Sequence, residues 1–143
     1  MIALLQRVIN AKVEVDGNVI AKIDKGILVF LGIEKTDTLK NVNKIISKII
    51  KYRIFPDSND KMNLSLLDCK LELLLVPQFT LTADTKKGNR PSFTNAMHPD
   101  ESIVLFNEAL NVAKNHGINV QSGKFQSDMK IHLINDGPVT FIL

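Results

Sequence analysis

The stretch Leu133-Ile-Asn-Asp-Gly-Pro-Val-Thr-Phe-Ile-Leu143 places two apolar, β-prone runs on either side of Asn135-Asp-Gly-Pro138. Asn, Asp, Gly and Pro each bend a chain, through local side-chain hydrogen bonds, tolerance of positive φ, or a fixed φ. Together they predict a turn between a penultimate and a terminal strand. An ordinary hairpin turn is one interpretation. The other is a cis Gly137–Pro138 peptide with redirected carbonyl groups, since X-Pro bonds prefer trans by only about 0.5–1 kcal/mol.

Upstream of this segment, apolar runs alternate with turn residues in the way typical of short strands. The run 27–33 is apolar on both faces, which predicts a central strand covered on both sides. Asp16-Gly17 is a strong hairpin signal between two further runs. In chain order, the predicted strands cover residues 2–9, 12–16, 18–23, 27–33, 63–66, 71–76, 129–134 and 139–143.

Two long segments carry apolar residues at helical spacing. The first follows the candidate N-caps Thr36, Asp37 and Thr38, and the second runs from Pro99 to a stop at Gly117. The predicted apolar faces are Leu39, Val42, Ile45, Ile46, Ile49 and Ile50 in the first, and Ile103, Phe106, Leu110 and Ala113 in the second. The first helix also carries a basic stripe, interpreted as a solvated face rather than a binding site: Lys40, Lys44, Lys48 and Lys51.

These elements predict a single α+β domain over residues 1–143. Mostly antiparallel sheets, rather than βαβ repeats, are expected to form a barrel-like core with the two long helices packed outside. A chain of 143 residues, 45% hydrophobic and 23% charged, is long enough for such a core. The lone Cys69 cannot form an internal disulfide, and we interpret it as structural.

Several classes of function are disfavoured by the sequence. It contains no H-E-x-x-H, P-loop, G-x-G-x-x-G or G-x-S-x-G motif, and His98, His116 and His132 lack metal-ligand spacing. We therefore expect no metal site. No apolar run approaches the roughly 18–20 residues of a membrane span, and the first residues do not resemble a signal peptide. These patterns predict a cytoplasmic protein without membrane contact, and the net charge of +3 permits an anionic partner.

A second polar segment, Pro77-Gln-Phe-Thr-Leu81, follows the predicted strand 71–76. Its position puts Gln78 and Thr80 at a strand end, where backbone N–H groups without ladder partners can face a ligand. The alternative is that the two side chains only cap nearby backbone. A long loop follows at 84–99, and loops of this length in compact domains tend to be functional or disordered.

The segments 77–81 and 135–140 together resemble the two signature motifs of D-aminoacyl-tRNA deacylases. The resemblance extends over nearly the whole chain and is specific, because both motifs occur in order with matching blocks between them. Those blocks are Ile2-Ala-Leu-Leu-Gln-Arg-Val8, Tyr52-Arg-Ile-Phe55, Lys61-Met-Asn-Leu64, Gly88-Asn-Arg-Pro-Ser-Phe93 and Ser122-Gly-Lys-Phe-Gln-Ser-Asp-Met129.

The resemblance implies a homodimeric enzyme without cofactor that hydrolyses the ester between a D-amino acid and the 3′-terminal adenosine of tRNA. Its active site would lie at the dimer interface, where Gly137–Pro138 of one subunit, as a cis peptide, enters the pocket of the other. The carbonyl oxygens of this turn would hold the ammonium group and leave no room for an L side chain. The Phe79 N–H would face the developing oxyanion, Gln78 and Thr80 would line the pocket, and the substrate 2′-hydroxyl would assist.

The same resemblance suggests supporting roles for further residues. Met129 would pack near the adenosine, Arg7 would brace the Gly-Pro turn, and Asn135 opens that turn. In the long loop, Lys86, Lys87 and Arg90 are candidates for tRNA phosphate contacts, with a merely solvated loop as the alternative.

Pro77 stands where the bacterial-type members of the family usually have Ser. This departure puts the strictness of L rejection in question. Glycine has no side chain to reject, so Gly-tRNA, including glycine mischarged on tRNA-Ala, is an expected second substrate. The alternatives are a non-catalytic module of the same fold that binds tRNA ends or adenosine, an esterase for other D-aminoacyl substrates, and a mechanism with Thr80 as nucleophile.

Overall fold

The computed structural model describes residues 1–86 and 88–143. A six-stranded sheet forms its centre, and a two-stranded sheet lies apart from it. In chain order the elements are β1 (Ile2–Val15), β2 (Asn18–Ile23), β3 (Gly26–Gly32), α1 (Leu39–Lys51), β4 (Phe55–Pro56), β5 (Met62–Leu64), α2 (Leu66–Cys69), β6 (Glu72–Pro77), a 3₁₀ helix (Phe79–Thr82), α3 (Pro99–Asn115), β7 (Val120–Ser122) and β8 (Lys130–Ile142).

The long strand β1 organises the sheet, because it pairs antiparallel with β2, β3 and β8. The predicted strands 2–9 and 12–16 are therefore one continuous element, which turns into β2 through Asp16 and Gly17, both at positive φ. The sheet curls until β2 approaches β6 and β7. The expected barrel-like α+β fold with two long helices is confirmed.

The strands β3, β6 and β7 depart from the antiparallel expectation, since β3–β6 and β6–β7 are parallel pairs. Parallel neighbours need a long crossover connection, and α1 and α3 lie in these two crossovers. The expectation that βαβ connections are missing was therefore wrong for this half of the sheet. The short helix α2, part of which was predicted as strand, also lies in the first crossover.

Two clusters of buried side chains hold the layers together. Inside the curled sheet lie small and β-branched residues such as Val13, Ile23 and Val76. Between the sheet and the helices lies a larger cluster that includes Val29 and Phe106. Four residues of the predicted helix faces are not buried there: Leu39 and Ile103 are exposed, and Ile45 and Leu110 are only partly buried. In α3 the buried side includes Leu105, Ala109 and Val112 instead.

The predicted turn at 135–138 is instead a bulge within one continuous strand. Both flanks of β8 pair with β1, with Asn135 opposite Val8 and Thr140 opposite Gln6. Four residues, 136–139, therefore stand against the single residue Arg7. Turn-forming residues bend the chain out of the ladder here, but the two halves return to the same partner strand. The prediction of separate penultimate and terminal strands was wrong.

The Met1 ammonium group lies beside two carboxylates at the end of β3. It donates a hydrogen bond to Asp37 Oδ1 at 2.9 Å and another to Glu34, while the Glu34 N–H donates to Asp37 Oδ2 at 2.7 Å. Burial acts to lower the pKa of this ammonium, but the hydrogen bonds and charges of Asp37 and Glu34 outweigh it and raise the pKa above its ordinary value.

We expect the Asp37→Asn variant to lose about 1.5–3 kcal/mol of unfolding free energy at pH 7, the range for hydrogen bonds to charged groups. A raised folded-state pKa stabilises the protein below the unfolded pKa of about 8, and this stabilisation disappears as pH rises through the folded value. Urea unfolding from pH 7 to 9.5 should therefore show a steeper loss in the parent than in Asp37→Asn. Burial also raises the pKa of the Cys69 thiol, so the comparison is repeated in a Cys69→Ser background as a control. Equal slopes of unfolding free energy against pH with and without Asp37→Asn in that background would contradict the assignment.

Candidate active site

A cavity of about 680 Å³ opens at the carboxyl ends of the parallel strands β3 and β6. Crevices at such strand ends are where ligands bind in sheets with parallel strands. The walls come from β3, β6 and the turn after it, the start of α3, and the segment 125–129. The lining residues are Leu31, Ile33, Val76, Pro77, Gln78, Phe79, Phe93, Ala96, Met97, His98, Pro99, Ser102, Phe125, Gln126, Ser127, Asp128, Met129 and Ile131.

The 3₁₀ helix after β6 presents backbone N–H groups at this wall. The Gln78 N–H is occupied, because it donates to Leu31 O at 2.9 Å, and the Leu81 N–H donates to Gln78 O at 3.3 Å. In the chain, the Phe79 and Thr80 N–H groups come between those of Gln78 and Leu81. Helix geometry gives the first N–H groups of a helix no acceptor inside the helix itself. Of the two residues, Phe79 lines the cavity, so its N–H is the donor best placed for a ligand oxygen.

The side chains of Gln78 and Thr80 contact each other. Gln78 Nε2 donates to Thr80 Oγ1 at 2.6 Å. This amide donor does not deprotonate the hydroxyl, so the contact does not activate Thr80 as a nucleophile. Thr80 is also not among the cavity-lining residues. Gln78 therefore lies in the wall of the cavity, and the exposed Thr80 lies next to Gln78 but outside the lining.

Aromatic side chains form the rim of the cavity. Phe79 is 57% exposed, and its ring centroid lies 5.0 Å from that of Phe93, which comes from the long loop. An exposed aromatic pair offers stacking surface to a ligand ring. The sequence reasoning did not assign Phe93 to the site, although it lies in one of the blocks quoted for the family resemblance.

Pro77 occupies the point where β6 leaves the sheet. Pro77 still pairs with Leu31 of β3, but the β6–β7 pairing ends at Leu75 and Ser122, two residues earlier, so the missing N–H of proline falls beyond the β6–β7 ladder. A side chain at Gly123 would meet Pro77 Cδ at 3.3 Å and Met129 Sδ at 2.9 Å. The close packing around Gly123 therefore holds Pro77 and Met129 side by side in the cavity wall.

The bulge 136–139 is tied down by Arg7 and Asn135. Arg7 Nε lies 3.0 Å from Asp136 Oδ2 and 3.2 Å from Asp136 O, and its Nη1 donates to Ile54 O at 2.7 Å. Across the base of the bulge, Asn135 Oδ1 accepts from the Val139 N–H at 3.0 Å. The peptide between Gly137 and Pro138 is cis. Gly137 and Pro138 are exposed, so the bulge presents its backbone to solvent.

The structure thus separates the predicted site residues into two groups. Pro77, Gln78, Phe79 and Met129 meet at the cavity, and Thr80 contacts Gln78 outside the lining. None of the residues 135–140, nor Arg7, is among the lining residues of that cavity in the described chain. The pocket and the bulge of one chain are therefore distinct surfaces.

The remaining predicted residues lie outside both groups. Lys86 and Arg90 are exposed in the loop before α3, and Lys87 lies outside the described residues. Within residues 1–86 and 88–143 no cluster of three metal-ligating side chains occurs, and no helix is long and apolar enough to cross a membrane.

Comparison with known proteins shows the family to which the chain belongs. A family model described as D-Tyr-tRNA(Tyr) deacylase matches residues 4–143. The chain belongs to this family. A D-aminoacyl-tRNA deacylase from Shewanella pealeana is 51% identical, with 100% of this chain and 99% of the relative covered. Another from Thermodesulfovibrio yellowstonii is 52% identical, with 100% and 98% covered. The prediction of a D-aminoacyl-tRNA deacylase, a hydrolase of the ester bond to tRNA, is thereby confirmed.

Solved structures support the deacylase fold. A c-Myc DNA unwinding element binding protein superposes with a TM-score of 0.93 at 39% identity, covering 100% of this chain and 97% of that one. A structure described as a probable eukaryotic D-amino acid tRNA deacylase gives 0.87 at 16% identity, covering 99% and 97%. At that identity the second match shows the fold alone.

Proposed function

We propose that this chain removes D-amino acids from tRNA by hydrolysing the ester to the 3′-terminal ribose. Water adds to the ester carbonyl carbon, and the ribose 3′-oxygen then leaves with a proton, which gives a free amino acid and tRNA. The observation that carries the proposal is the Phe79 N–H at the wall of a cavity large enough for an aminoacyl-adenosine end, in a chain of the deacylase family.

In this proposal the Phe79 N–H holds the oxyanion that forms when water attacks. Support for a role of the substrate 2′-hydroxyl comes from the acids and bases of the wall. Among the described lining residues, His98 and Asp128 carry ionisable side chains. Both side chains are largely exposed, at 71% and 88%; His98 Nδ1 lies 3.6 Å from Asp100 Oδ2, and Asp128 pairs with Lys130. Solvent-exposed side chains of this kind lack the burial that tunes a general base, so we propose that the substrate 2′-hydroxyl assists instead.

We further propose that the site is completed by a second copy of the chain, as a homodimer. The bulge 136–139 is exposed and lies apart from the cavity of its own chain, so it is free to enter the cavity of a partner. Exposed apolar side chains surround it on β1 and β8: Ile9 at 51%, Ile134 at 52% and Ile142 at 70%. Such a patch on a folded protein is typical of an interaction surface.

The bulge would then select the amino acid by its handedness. The Gly137 and Pro138 carbonyl oxygens would accept hydrogen bonds from the substrate ammonium, and an L side chain would point at the same backbone. Rejection by clash and by unpaired polar groups discriminates better than an apolar pocket. Glycine presents no side chain to the bulge, so Gly-tRNA would pass.

Single-turnover hydrolysis of D-Tyr-tRNA, L-Tyr-tRNA and Gly-tRNA tests these proposals together. We expect fast release of D-Tyr and glycine, with L-Tyr slower by on the order of 10⁴, the range that polar rejection supplies. Comparable release of D-Tyr and L-Tyr would mean that the bulge does not reject the L-amino acid. Pro77→Ser would then be the first variant to test. Binding of tRNA without release of any amino acid would contradict hydrolysis and favour the non-catalytic module.

A further inference from the structure

The exposed side of α1 carries four lysines and no acidic residue. Lys40, Lys44, Lys48 and Lys51 follow one another at spacings of four, four and three residues, which places them on one side of a helix. We call this set the α1 lysine face. All four side chains are exposed, while Val42, Ile46, Ile49 and Ile50 point to the core on the opposite side.

Like charges four residues apart destabilise a helix by about 0.2–0.5 kcal/mol per pair. Lys40 with Lys44, and Lys44 with Lys48, are two such pairs. In the part of the chain that the structure describes, the ion pairs within 4 Å involve none of the four lysines. The α1 lysine face therefore concentrates positive charge without compensation from its own surroundings.

The segment that leads into the α1 lysine face borders the cavity. The segments that lead into α1 and α3 pair with each other, since the Lys35 N–H donates to Asn95 O at 3.0 Å and the Met97 N–H donates to Ile33 O at 3.1 Å. Ile33 and Met97 line the cavity. Lys40 is five residues beyond Lys35, at most about 18 Å of chain. From Lys40 to Lys51 the face spans roughly 16 Å along the helix.

In place of the solvated face that the sequence pattern favoured, we propose that the α1 lysine face binds the phosphate backbone of the acceptor arm of tRNA while the 3′ end lies in the cavity. This inference rests on the proposed function. A row of flexible ammonium groups suits phosphates along a duplex, where contacts position the ligand without reading its sequence. The face is a poor match for a membrane surface, because the large apolar residues of α1 other than Leu39 are buried or partly buried and cannot insert into lipid.

The test is Lys40→Gln/Lys44→Gln, which removes the first two charges of the face but keeps a comparable helix propensity. Two substrates are compared: D-Tyr-tRNA and D-tyrosyl-adenosine, which lacks the acceptor arm. At 50 mM salt we expect kcat/KM for D-Tyr-tRNA to fall at least about 10-fold, with D-tyrosyl-adenosine unchanged. The slope of log affinity for uncharged tRNA against log salt should decrease by about 2, close to one per lost phosphate contact.

Two matched variants control for charge and fold. Lys22→Gln/Lys114→Gln makes the same change in net charge on exposed lysines of β2 and of the last turn of α3, and it should leave the salt slope unchanged. Lys40→Arg/Lys44→Arg keeps the charges and should retain tRNA binding.

An unchanged salt slope in Lys40→Gln/Lys44→Gln, or an equal loss in Lys22→Gln/Lys114→Gln, would overturn the assignment. An equal loss on D-tyrosyl-adenosine would also overturn it, because the effect would then lie in the cavity. The slope for uncharged tRNA does not depend on turnover. A parent protein that hydrolyses neither ester therefore refutes the proposed hydrolysis, while the binding slopes still decide the role of α1.

Discussion

Replacing Phe79 by proline is expected to lower the single-turnover rate on D-Tyr-tRNA by about 10²–10³, the usual cost of losing one oxyanion-hole donor. Proline has no N–H, and Phe79 is the first residue of its helix, the position where proline is tolerated best. Gln78 before it has φ −145° and ψ 82°, outside the helical region that a following proline disfavours. The substitution therefore removes the proposed donor with little change of backbone.

The matched control is Phe79→Ala, which removes the same ring but keeps the N–H. Because the ring is 57% exposed and stacks only on the rim, we expect it to affect substrate affinity more than the chemical step. The ratio of the two variant rates isolates the N–H. Equal rates for Phe79→Pro and Phe79→Ala, with matching thermal unfolding, would show that the oxyanion is held elsewhere.

Replacing Gly137 by alanine is expected to weaken the rejection of L-Tyr-tRNA from the order of 10⁴ toward the order of 10², the level of an apolar pocket. Gly137 has φ +129°, which L residues rarely adopt, and its new Cβ would lie 2.6 Å from Val139 Cγ2 and 3.0 Å from Val139 N. The bulge must move, and its carbonyl groups move with it. The measurement is the ratio of D-Tyr to L-Tyr release.

Mixing subunits distinguishes a partner's bulge from an effect within the same chain. Excess Phe79→Pro protein has a disabled cavity but an intact bulge, so each active cavity of Gly137→Ala would face a normal bulge in the mixed dimer. L-Tyr release per Gly137→Ala subunit should then fall toward the parent level. If it stays constant over a wide range of mixing ratios, the bulge does not act across an interface.

Apolar patterns predicted the elements that are buried on both faces or along one face. The run 27–33 became β3, the run 71–76 became β6, and α1 follows the predicted apolar face except at Leu39, which is exposed, and Ile45, which is only partly buried. Burial against a core determines where such segments form, and it requires apolar residues at regular positions in the sequence. The parallel pairing of β3 with β6 was not predicted, although continuous apolar runs are typical of parallel strands, because such a run also fits a buried antiparallel strand.

The bulge at 136–139 shows the limit of turn signals. Asn135-Asp-Gly-Pro138 correctly marks a break in the ladder, but local residues do not say which strand the chain pairs with afterwards. That outcome depends on β1, which is long enough to accept both halves of β8. The same limit applies to the site. The motif 77–81 indicated the cavity, but the separation of the cavity from the bulge depends on how β1 and β8 pair.

Strand β1 sets the distance between these two surfaces within a subunit. Ala3 of β1 pairs with Leu31 at the cavity, and Arg7 lies opposite the bulge. Four residues of strand separate these positions by about 13 Å, and hydrogen-bonded ladders on both sides of β1 prevent that distance from closing. Under the proposed arrangement, checking handedness is consequently a property of the pair of chains. A subunit that has not yet met its partner holds a cavity with no gate opposite it, so the accuracy of editing follows the concentration of the protein.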